Sequence, residues 1–79
     1  MGYAKTEEEW AERARAFLKA ELKKADVTYV ELGKRLKKHG FKETEASITA
    51  KLKRGTFSAV FFLACLAALG LPNIPWEDV

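Results

Sequence analysis

Thr44-Glu45-Ala46-Ser47-Ile48-Thr49-Ala50-Lys51-Leu52-Lys53-Arg54-Gly55 lies between a capped amphipathic stretch and an almost wholly apolar one. Its spacing predicts a helix that begins near Thr44 and ends at Gly55, a residue suited to a left-handed C-terminal cap. Ile48 and Leu52, one turn apart, mark the buried side. At 100° per residue, the opposite side carries Glu43, Ala46, Ser47, Ala50, Lys53 and Arg54. Small side chains at its centre would let another surface approach the backbone, and the cations at its end suit phosphate. A plain solvent-facing helix would show the same pattern.

The flanking sequence reads as helix on both sides. Upstream, Thr28 and Glu31 form a capping box, with Val27 placed to staple against Leu32. Val30, Leu32, Gly33 and Leu36 supply the inward side of that helix, while Lys34, Arg35, Lys37 and Lys38 face outward. Gly40 ends it, with His39 in the last turn as a surface residue. A long polar turn, Gly40 to Glu43, then leads into the basic helix. Near the N-terminus, Thr6 and Glu9 form another capping box, and Glu7, Glu8 and Glu9 favour the positive end of a helix dipole. Trp10, Ala14, Phe17, Leu18, Leu22 and Ala25 recur at helical spacing, so this helix runs from about Glu7 to Lys24.

Downstream, Thr56 or Ser58 caps a helix to about Leu69 that is apolar on every side. Gly70, Pro72 and Pro75 end it, leaving a short extended tail with Trp76. The expectation is an all-α chain of one domain, residues 1–79, with a helix-turn-helix core at about 28–55 and a tail at 72–79. Four helices are expected, with room for a short fifth turn.

The 79 residues suit one domain, and 48% hydrophobic content suits globular folding. One cysteine, Cys65, excludes an internal disulfide and a four-cysteine zinc site. With His39 the only histidine, neither a catalytic centre nor a metal site has ligands to draw on. No activated nucleophile, carboxylate pair or phosphate-cradling glycine loop stands out, so an enzyme, a cofactor and a small-molecule substrate are not expected. The apolar run Phe57 to Leu71 falls short of the roughly 20 residues a membrane span requires, and it is not placed as a signal peptide. The expected location is the cytoplasm.

Net charge is +3, unevenly distributed. Residues 19–54 hold eleven basic and five acidic groups, a net +6, between mildly acidic ends. A basic centre fits a polyanion-binding face, and it equally fits ordinary solvated helix surfaces.

The Leu32-Gly33 pair, the Arg54-Gly55 helix ending and the closing Ala68-Leu69-Gly70-Leu71 resemble the lambda-repressor-like helix-turn-helix superfamily. Relative to that pattern, the segment from Gly33 to Ile48 is several residues longer, Ile48 and Leu52 are four apart instead of three, and Lys53 stands where Glu is common. The whole chain, including Trp10-Ala11-Glu12-Arg13-Ala14 and Arg54-Gly55-Thr56-Phe57-Ser58, looks more closely like a small bacterial family of uncharacterised domains.

The superfamily resemblance implies binding of double-stranded DNA by a small transcriptional regulator. In that pose Ser47 and Ala50 lie near base edges, and Lys42, Lys51, Lys53 and Arg54 hold phosphates. Thr28 starts a helix whose amides suit another phosphate. The all-round apolar helix implies a homodimer through Phe61, Phe62, Cys65, Leu66 and Leu69. Two alternatives remain: a helical protein-interaction module without DNA binding, and a monomer in which Trp10, Phe17 and Trp76 cover the last helix.

Overall fold

The computed structural model describes residues 2–79, and their regular structure is entirely helical. α1 spans Glu7–Lys24, α2 Tyr29–Lys37, α3 Glu45–Arg54 and α4 Ala59–Leu69. A 3-10 turn, Trp76–Asp78, supplies the short fifth turn, inside the tail that was expected to be extended. No single helix among the described residues is long and apolar enough to cross a membrane, and α4 leaves α3 at 117°.

Each α-helix start is fixed by a hydroxyl. Thr6 accepts from the Glu9 amide, Thr28 from Glu31, Thr44 from Ser47, and Ser58 (rather than Thr56) from Phe61. Such caps contribute about 1 kcal/mol each. Only Thr44 closes a reciprocal box, because the Ser47 hydroxyl accepts from the Thr44 amide in return. The two boxes expected at Thr6 and Thr28 are one-sided. The Glu9 carboxylate accepts from the Lys5 amide, and the Glu31 carboxylate pairs with Arg35.

α2 packs on both α3 and α4, and α1 crosses α3. Leu18 and Leu22 of α1, Leu32 and Leu36 of α2, Ile48 and Leu52 of α3, and Phe61 and Cys65 of α4 form one buried cluster. Val27 and Leu32 are both buried in this cluster. Burying each of these large aliphatic side chains contributes about 1.5–3 kcal/mol.

Two arginines tie helix ends to neighbours. Arg15 of α1 donates to the Lys53 carbonyl at 3.2 Å, and Arg35 of α2 donates to the Ala68 carbonyl at 3.2 Å. Both contacts place a cation at the negative end of a helix dipole. Arg35, expected to face outward, is therefore half-buried between α2 and α4.

Candidate nucleic-acid interface

The long turn between α2 and α3 is anchored at three points. Leu36 O accepts from the amides of His39 and Phe41, with Gly40 between them at φ +87°. Phe41 turns inward, edge-on to Phe61 with ring centroids 6.5 Å apart. The backbone of Glu43 then passes so close to Gly33 that a Cβ there would lie 3.2 Å from the Glu43 carbonyl oxygen. Gly33 thus lets the turn rest directly on α2.

With its backbone held there, Glu43 extends a nearly buried carboxylate along α3, its side chain 7% exposed. One oxygen accepts from the Ser47 hydroxyl at 2.6 Å, and the other pairs with the Lys51 ammonium. That ammonium also lies over the Phe61 ring, 4.7 Å from its centroid. Burial opposes ionisation of Glu43. The hydrogen bonds from Lys51 and Ser47, with the Lys51 charge, outweigh it and hold the carboxyl below its ordinary 4.5.

This cluster engages two of the residues expected to contact DNA. Ser47 and Lys51, assigned to base edges and phosphate, are turned inward and committed to Glu43 within the chain. The signal was present as Glu43, Ser47 and Lys51 at successive intervals of four, which places all three on one helix face. Arg54 is exposed, yet it borders a cleft of about 350 Å³ lined also by Glu7, Glu8, Glu12 and Arg15. No ion pair engages it among the described residues.

Lys42, Ala50 and Lys53 are exposed as expected, with Ala46 and Thr49 completing the outward face of α3. Thr28 is exposed, with its hydroxyl already engaged as the α2 cap. Lys34, Lys37 and Lys38 are also exposed, and no ion pair engages them, Lys42 or Lys53 among the described residues. These α2 lysines were read as an outward face without a site role. Residues 34–42 carry five basic groups and no acidic one.

α4 differs more from expectation. Phe61, Cys65 and Leu66, assigned to an interface between copies, are buried in the chain's own core. Phe62 and Leu69 are half-buried. Phe62 packs on Phe17 and Phe57, and it lines an apolar cleft of about 140 Å³ with Trp10, Ile74, Trp76 and Val79. The tail and α1 therefore cover one flank of α4. Its other flank is open, with Val60 and Leu63 more than 60% exposed. Burial, with the nearby Glu43 charge, pushes the Cys65 thiol up to about 12, so it remains protonated.

Residues 10–74 match the model of a family described as Domain of unknown function (DUF6471). No curated protein and no solved structure matches the chain.

Proposed function

The chain belongs to the DUF6471 family, whose description assigns no activity, and we propose from its surfaces that it binds duplex DNA as a helix-turn-helix domain. The observation that carries this reading is the outward face of α3. Ile48 and Leu52 are fully buried beneath it, while Ala46, Thr49, Ala50 and Lys53 face solvent. A helix with small residues along its exposed middle fits a major groove closely, and Ala50 can meet a thymine methyl. Lys34, Lys37, Lys38, Lys42 and Lys53 supply phosphate contacts that position the domain without reading sequence.

The test is a mobility shift with random duplex over a range of salt. Affinity is expected to fall steeply with salt, because each phosphate contact releases condensed counterions. Absence of binding at low salt overturns the reading. A protein-interaction module without DNA binding is the second reading, favoured by the open apolar flank of α4.

A further inference from the structure

The outward face of α3 carries almost no group free to hydrogen-bond a base. At 3.6 residues per turn, Ala46, Thr49, Ala50 and Lys53 project within an arc of about 100°, and all four are exposed. Thr49 commits its hydroxyl proton inside the helix, donating to the Glu45 carbonyl at 2.8 Å, which leaves its methyl as the unengaged group. Ser47, the other hydroxyl of α3, lies outside the arc and donates to the Glu43 carboxylate at 2.6 Å. Lys53 stands in the last turn. Glu45 and Arg54 lie on the two rims, each about 90° from the centre of the arc.

Hydrogen-bonded readout in the major groove draws on few side chains. Asn or Gln pairs with adenine, Arg or Lys with guanine, and Glu or Asp accepts from cytosine. The chain has no glutamine, and its one asparagine is Asn73 in the tail. The middle of the arc instead presents three methyl groups, from Ala46, Thr49 and Ala50. Their counterpart in the groove is the C5 methyl of a pyrimidine, carried among the four common bases by thymine alone. Resting on the duplex-binding reading above, we infer that α3 discriminates duplexes by pyrimidine C5 methyls and not by hydrogen bonds to base edges. Ala46, Thr49 and Ala50 are its specificity-determining residues. The exposed lysines of α2, with Lys42 and Lys53, hold any duplex alike, since phosphate contacts carry no sequence information. Burying one methyl group contributes about a three- to fivefold gain in affinity. A cytosine methylated at C5 offers the same group.

Mobility shifts of the full chain over a range of salt compare two pairs of duplexes. One pair is an alternating A·T duplex and its A·U counterpart, which lacks only the C5 methyl. The other is a G·C duplex with and without methylation at cytosine C5. The methylated member of each pair is expected to bind about threefold tighter or more, with the same salt slope as its mate because the phosphate contacts are unchanged. A gain in one pair alone assigns the contact to thymine or to 5-methylcytosine. Ala50→Ser, at an exposed position, is expected to bring the ratio toward one while keeping helicity and salt slope. Thr49→Val keeps the methyl and removes the hydroxyl, so the ratio is expected to persist; its loss there would assign readout to the hydroxyl and overturn the inference. Steep, salt-dependent binding with equal affinity within both pairs overturns the methyl readout alone. Absence of binding to all four duplexes at low salt overturns the duplex-binding reading with it.

Discussion

Gly55 rests against the backbone of Ala11 so closely that a Cβ on it would lie 2.5 Å from the Ala11 carbonyl oxygen. The same glycine ends α3 in the left-handed region at φ +71°. One residue thus terminates the helix and allows α1 to cross it at backbone distance. Gly40 also has positive φ, but nothing lies within 4 Å of its missing Cβ. Gly55→Ala is expected to cost about 2–4 kcal/mol, combining left-handed strain with displacement of α1. Gly40→Ala is expected to cost only about 1 kcal/mol, the strain alone. Urea unfolding of the two variants checks the ordering, and equal losses would refute the close α1 seam.

Acid should loosen the anchor of α3. The Glu43 pKa is lower in the folded chain than in the unfolded one, so its stabilisation is complete above the ordinary value of 4.5. It is lost as pH falls through the lowered folded value. Glu43→Gln is expected to destabilise by about 1–3 kcal/mol at neutral pH, because it leaves Lys51 half-buried without a counter-charge. The gap from the natural sequence should narrow as both are titrated below 4.5. A gap independent of pH would show that the Glu43 charge adds nothing.

Cys65 should resist labelling. It is fully buried, and its thiol is raised from 9.0 to about 12. A thiol-specific reagent is expected to modify it only as fast as the domain unfolds, since the nucleophile is the thiolate. The contribution of the protonated thiol to stability is full below 9.0 and is lost as pH rises from there toward 12. Labelling that is fast compared with global unfolding would contradict the packing of α4.

Two leucines should separate core from surface. Leu52→Ala removes a fully buried side chain beneath α3 and is expected to cost about 2–5 kcal/mol. Leu63→Ala, at a position 62% exposed, is expected to change the stability of the isolated chain by less than about 1 kcal/mol. Thermal or urea unfolding at low concentration distinguishes them.

The phosphate contacts should be unequal between neighbours. Lys53→Ala is expected to lower the salt slope of DNA binding by about one contact. Arg54→Ala is expected to change it little, because Arg54 borders the acidic cleft at the start of α1. Equal effects would place Arg54 on the phosphate backbone instead.

The sequence by itself determined the four helices and most of their ends. It left open whether Thr56 or Ser58 caps the last, and it placed the end of α2 at Gly40, where the helix stops at Lys37. Thr6, Thr28, Thr44 and Ser58 are hydroxyl caps, and Gly55 and Gly70 are left-handed stops. These signals act within one turn of chain and are legible without knowledge of any neighbour. The buried pairs Leu32 with Leu36 and Ile48 with Leu52 were legible for the same reason, since periodicity of a mixed helix identifies its inward face. α4 offered no such contrast. With every position apolar, only packing by α2, Phe17, Phe57 and the tail could divide Phe61, Cys65 and Leu66 from Val60, Leu63 and Ala67. The cations of α3 were likewise divided by tertiary structure. Lys51 and Lys53 are alike in sequence, but the turn places the Glu43 carboxylate beside one and leaves the other in water. A buried charge goes wherever its counter-charge is held, and the backbone of Glu43 in the turn is held by contact with Gly33, a residue ten positions earlier on α2.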